Sequence, residues 1–128
     1  MIKVRHIGIT VNDLEKMLDF YSRLLKFNNQ KIALESGDYI DNFSKLSNVS
    51  VTTAKLSNDN DEVLIELLKY HSHHGESHKS EIINPGISHF ALTVDDLQSL
   101  YDQAMAEGIE FNAPPQSPPD GKALVTFC

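Results

Sequence analysis

The chain has 128 residues and a formal net charge of −7 at pH 7. That length suits one domain, able to bury roughly two-thirds of its unfolded surface, and the single cysteine, Cys128, has no intrachain partner. The acidic balance argues against nucleic acid and anionic membrane as partners, which want a basic face; with no secretory hydrophobic region and no apolar run near about 18 residues, a soluble, cytoplasmic protein is expected.

The first element is a strand over residues 4–11. Val4, His6, Gly8 and Thr10 alternate with Ile7, Ile9 and Val11, the period of two that a strand gives. One face is aliphatic. The other carries a histidine, a residue without a side chain and a threonine. A capping box follows, with Asn12 as N-cap and Glu15 reaching back. Leu14, Met17, Leu18, Tyr21, Leu24 and Leu25 then line one face of a helix that should cover the aliphatic face of the sheet. Asn28 and Asn29 mark its stop, and residues 30–34 read as a second strand.

Residues 36–48 have no clean period and read as a loop with a short helical turn at the mouth of a cavity. Residues 49–56 read as a third strand, 57–61 as a polar turn and 63–70 as a fourth strand. His71, Ser72, His73, His74, Glu76 and His78 fall in a polar linker. Its histidines could bind metal, but a solvated connection is the simpler reading. Asn84-Pro85-Gly86 restarts the pattern. A strand over 88–94 leads to a helix capped by Asp95, with Gln98 three residues on. Its stripe is Leu97, Leu100, Tyr101, Ala104 and Met105, and Gly108 closes it. Residues 109–111 form a short strand. Residues 113–120 hold four prolines and must be a loop. Asp120-Gly121 is a hairpin signal before a last strand over 123–127.

The two halves of this pattern are one unit used twice. Arg5-His6-Ile7-Gly8-Ile9-Thr10-Val11-Asn12-Asp13-Leu14 is echoed by Ser88-His89-Phe90-Ala91-Leu92-Thr93-Val94-Asp95-Asp96-Leu97, with His, Thr, Val, Asp and Leu coinciding. The first unit reads β-α-β-β-β and the second β-α-β-β. The repeat predicts one further strand, and a longer natural chain, truncated here, is the favoured explanation. The expected organisation is one domain over 1–128: module one at 1–72, a linker at 73–84, and an incomplete module two at 85–128.

Glu66 is the most informative single residue. A carboxylate in Leu64-Ile65-Glu66-Leu67-Leu68 is costly to bury unless paired, protonated or bound to metal. With His6 and His89 it makes a possible His/Glu/His set, each member from the middle of a strand. Imidazole and carboxylate at rigid positions suit one borderline divalent ion, Zn, Ni, Co, Fe or Mn. Three protein ligands leave room for water or substrate.

The doubled His-bearing strand, the Asp-Leu opening of each helix and the Ile-Glu-Leu strand resemble the vicinal oxygen chelate superfamily. That group includes glyoxalase I, methylmalonyl-CoA epimerase, extradiol dioxygenases, and fosfomycin- and bleomycin-resistance proteins. The resemblance implies an α+β fold of two βαβββ modules, with mixed sheets curled around one metal-centred cavity and helices outside. It places His6, Glu66 and His89 at three ligand positions. The fourth family ligand, a Glu on the final strand, lies beyond Cys128. It also implies that Glu66 doubles as the catalytic base, since glyoxalase-like members move a proton through an enediolate.

The expected function is a metal-dependent lyase or isomerase acting on a small oxygen-rich carbonyl or thioester. The alternatives are an Fe(II) or Mn(II) dioxygenase and a non-catalytic ligand-sequestering protein of the bleomycin-resistance type. The partner is a small-molecule substrate, and a homodimer is expected from the superfamily's habit.

Overall fold

The computed structural model describes residues 1–59, 64–77 and 81–128. It divides into two compact units, Met1–Ser77 and His78–Cys128. In the first, strands β1 (His6–Thr10), β2 (Asn29–Ser36), β3 (Ser50–Ser57) and β4 (Leu64–Tyr70) form a curled, unclosed mixed sheet in the order β1-β4-β3-β2. β1 runs parallel to β4, and the other neighbours are antiparallel. β4 is therefore an inner strand.

The register sorts the side chains onto two faces. Ile7, Ile9 and Val11 share one face with Ile65, Leu67, Ala54 and Leu56. Ala54, Leu56 and Leu67 are completely buried and Ile65 almost so. Each large aliphatic side chain buried there is worth about 1.5–3 kcal/mol. Against this face lies α1 (Leu14–Asp19), which runs directly into a wider π-helical turn at Phe20–Leu24. The predicted stripe holds: Tyr21 and Leu24 are buried, and Leu14, Met17, Leu18 and Leu25 are half-buried. The helix ends at Lys26, which takes a left-handed φ of 63°. The Phe27 N–H then reaches back to the Tyr21 carbonyl at 3.0 Å, earlier than the expected stop at Asn28.

The opposite face is apolar at one end and polar at the other. At the apolar end α2 (Asp38–Ser44) buries Ile40 with Val49 and Val51, backed by Leu68 and Tyr70. The Asp41 carboxylate accepts from the Asn48 and Val49 N–H groups at 2.8 and 2.9 Å, which fixes the loop after α2. The loose region at 36–48 is thus an anchored helix. The turn expected over 57–61 lies partly outside the described residues, as does Val63 at the start of β4.

Both helix caps differ from expectation by one residue, and in the same sense. Asp13, not Asn12, caps α1 by accepting from the Lys16 N–H at 3.0 Å. Asp96, not Asp95, caps α3 (Leu97–Ala106) by accepting from the Ser99 N–H at 2.9 Å. A carboxylate oxygen spans best from the residue directly before the first helical turn. The Asn12 amide donates instead to the Ser77 hydroxyl at 2.9 Å.

In the second unit Gly108 closes α3 with φ +82°, its N–H meeting the Met105 carbonyl and that of Ile109 meeting Ala104. Tyr101 packs on Phe111 with ring centroids 4.8 Å apart. The segments at 88–94 and 109–111 form no ladder among the described residues. One antiparallel bridge, Gln116 to Val125, and the Asn112-to-Phe127 hydrogen bond stand where a hairpin was expected. Pro114, Pro115, Pro118 and Pro119 lack the N–H groups a ladder requires.

Candidate functional site

The polar end of the β1–β4 sheet holds two of the three residues singled out from the sequence. Gly8, Glu66, Lys55 and Lys31 are direct register partners across β1, β4, β3 and β2, so they form one row across the sheet. His6 lies two residues before Gly8 on the same face of β1. Its Nε2 approaches Glu66 Oε2 at 3.2 Å, and Lys55 Nζ approaches Glu66 Oε1 at 3.5 Å. The two carboxylate oxygens are therefore divided between two nitrogen partners.

Burial explains why Glu66 needs them. Its side chain is only 13 % exposed, against 44 % for His6 and 41 % for Lys55. A carboxylate on an inner strand loses much of its water, and the loss is tolerable because both oxygens meet donors. Gly8 contributes by having no side chain. In register with Glu66 it leaves the β1 end of the row open, and a Cβ there would meet Leu68 Cδ1 at an ordinary 3.5 Å. The next row continues the polar lining: the Thr53 hydroxyl donates to Glu35 Oε1 at 2.9 Å.

His89 belongs to the second unit. Its Nδ1 is 2.8 Å from the Ser88 hydroxyl, and its ring meets that of Phe127 edge to face at 5.1 Å. With Nδ1 engaged by a hydroxyl, Nε2 is the nitrogen suited to a further partner. Two of the linker histidines meet hydroxyl groups: His71 Nε2 meets Thr52 Oγ1 and His73 Nδ1 meets Ser72 Oγ, both at 2.8 Å. His78 lies outside the described residues. Among the described residues no group of three or more His, Cys, Asp or Glu side chains is gathered as a ready-made metal cluster.

Sequence reasoning missed Lys55 and Lys31. Only the β2–β3–β4 register shows that Lys55 stands beside Glu66 and Lys31 beside Lys55. The available signal was weak, one lysine in each of two strands of mixed composition.

The sequence matches the family model of the Glyoxalase/Bleomycin resistance protein/Dioxygenase superfamily over residues 3–127. The chain belongs to that superfamily, the vicinal oxygen chelate group. Solved structures agree on the fold. A glyoxalase family protein from Bacillus cereus superposes with a TM-score of 0.81 at 16% identity, covering 88% of this chain and 76% of that one. The trypanothione-dependent glyoxalase I of Leishmania major gives 0.62 at 18% identity, covering 98% and 78%. The fosfomycin resistance protein FosX of Listeria monocytogenes gives 0.52 at 21% identity, covering 100% and 84%. No curated protein gives a significant sequence match. No helix among the described residues is long and apolar enough to cross a membrane.

Members of the superfamily typically use a divalent metal and bind small-molecule substrates. The chemistry of this site fits such an ion. An imidazole nitrogen and a carboxylate oxygen converge on adjacent strands at 3.2 Å, the mixed N/O donor pair that borderline divalent ions favour. Oε2 faces the imidazole while Lys55 engages Oε1, so the oxygen beside His6 is the one placed to ligate.

Proposed function

We propose that this protein is a metal-dependent lyase or isomerase of the glyoxalase type, acting on a small oxygen-rich carbonyl or thioester. The observation that carries the reading is the convergence of His6 and Glu66 on neighbouring strands, beside the space left by Gly8. His6 and Glu66 would hold the ion. The ion would supply Lewis-acid polarisation of the substrate oxygens.

Glu66 does the proton work. Its carboxylate takes the proton from the carbon beside the carbonyl, and the electron pair of that C–H bond passes into an enediolate. The Glu66 carboxyl, now carrying the proton, returns it to the neighbouring carbon, the enediolate electrons close the new C–H bond, and the substrate's own hydroxyl proton passes to the oxygen of the former carbonyl, so that carbonyl and hydroxyl change places. Lys55 holds the far carboxylate oxygen, so the group pivots little between the two steps. The superfamily often forms dimers, and a cytoplasmic homodimer is part of this reading.

Elemental analysis of purified protein tests it. About one divalent ion per chain is expected, lost in His6→Ala. Glu66→Gln should stay folded and lose turnover of a hemithioacetal or α-hydroxy carbonyl by about 10²-fold or more. An active Glu66→Gln protein would remove Glu66 as the base. Oxygen uptake on catechols would establish a dioxygenase instead.

A further inference from the structure

The row that contains Glu66 continues into two lysines. Lys55 and Lys31 are direct cross-strand partners on β3 and β2 and share the face that carries His6 and Glu66. Like charges directly opposite each other on one face destabilise a sheet. Here the repulsion occurs in a chain whose net charge is −7, where a cation pair is not needed for solubility. Glu66 offsets part of the charge of Lys55 at 3.5 Å. The next carboxylate on this face, Glu35, is engaged by the Thr53 hydroxyl. The row as a whole reads empty, negative, positive, positive from β1 to β2.

We propose that the Lys31–Lys55 pair is an anion site that anchors a carboxylate or phosphate carried by the substrate. This rests on the reading that Glu66 is the reacting carboxylate, and it adds the substrate class: a carbonyl compound with one oxyanion a few bonds from the carbon that exchanges its proton. Strands lie about 4.8 Å apart, so a group seated between β2 and β3 is one to two strand spacings from Glu66. A short anionic substrate laid across the row therefore presents its middle to Glu66 and its uncharged end to the space over Gly8. The two lysines neutralise the anion, and their alignment with Glu66 fixes which carbon faces the base. A neutral analogue would lose this anchor.

The test uses the whole chain with butyrate, the neutral isostere butyramide and inorganic phosphate, all in excess EDTA so that no metal can hold the anion. Amide shifts in the NMR spectrum report binding. Butyrate or phosphate should shift β2 and β3 resonances saturably, and butyramide should not. Lys31→Met and Lys55→Met should each weaken anion binding about three- to tenfold, while Lys55→Arg restores it within about twofold. Tighter phosphate than butyrate assigns a phosphate handle, and the reverse assigns a carboxylate. The proposal is overturned if butyramide shifts the same amides, if folded Lys31→Met and Lys55→Met proteins bind like wild type, or if neither anion binds. Measuring His6→Ala in the same buffer separates this site from the metal reading. Butyrate binding that survives there stands even if the metal assignment fails, and normal metal content without anion binding refutes the lysine site alone.

Discussion

Replacing Lys55 and Glu66 singly and together measures how the buried carboxylate is held. The ammonium lies 3.5 Å from Oε1. At that separation two unit charges attract by about 1 kcal/mol in bulk water and about 5 kcal/mol at an effective dielectric of 20. Lys55 is 41 % exposed, so screening and the entropy of a long side chain bring the net pair to about 0.5–1 kcal/mol. The single variants should nevertheless differ. Lys55→Met leaves a carboxylate that is only 13 % exposed with the His6 ring nitrogen beside it, at a cost of about 1–2 kcal/mol. Glu66→Gln leaves an ammonium that can turn to water, at a cost below about 1 kcal/mol. The double variant should match Glu66→Gln, so the coupling equals the Lys55→Met cost, about 1–2 kcal/mol, and its charge-dependent part shrinks in about 1 M salt. Urea unfolding followed by far-ultraviolet circular dichroism at pH 7 supplies the four free energies. Lys55→Met costing no more than Glu66→Gln, with no coupling, would refute the picture of a carboxylate held between two nitrogen partners.

The core makes a larger prediction. Leu67 is completely buried on the inner strand, so Leu67→Ala should lower stability by about 2–5 kcal/mol in the same urea experiment. Asp19 makes a prediction about pH. The hydrogen bond from Arg23 at 2.8 Å holds the Asp19 carboxyl below its ordinary value, against an opposing desolvation and with the Arg23 charge as the smaller aid. A depressed folded value contributes stability that is present above the unfolded pKa of about 3.9 and lost as pH falls through the lower folded value. NMR titration should place the Asp19 midpoint below the ordinary value, and Arg23→Gln should return it there; an unchanged midpoint in Arg23→Gln would show that the pair does not persist in solution.

The first unit was legible because its patterns are local. The alternation of Ile7, Ile9 and Val11 and the stripe from Leu14 to Leu25 each report burial through spacing alone. The His6–Glu66 pairing was legible for a different reason: one carboxylate in an apolar strand demands a partner, and the repeat pointed to histidine. The caps were misplaced by one residue because Asn12-Asp13 and Asp95-Asp96 each offer two acceptors in a row. Choosing between them depends on the backbone angles at the first turn. Lys31 and Lys55 were not legible as site residues, since their place follows from a strand register that no short-range pattern encodes. The short helical turn expected within 36–48 is there, but its extent over Asp38–Ser44 was not legible because α2 is only seven residues long and buries Ile40 alone.

The strand order has a consequence for when the site exists at all. β2, β3 and β4 follow one another along the chain, whereas β1 reaches β4 across a long excursion that includes α1 and α2. Where that excursion closes, the Lys69 ammonium donates to the Asn12 carbonyl across 57 residues of chain. Closing a loop of that length costs roughly 3–4 kcal/mol of chain entropy. His6 lies on one side of the closure and Glu66 on the other. Peeling β1 away would therefore disarm the site while the antiparallel strands remain paired. A ligand that grips both side chains clamps the loop shut and raises the stability of the unit as it binds.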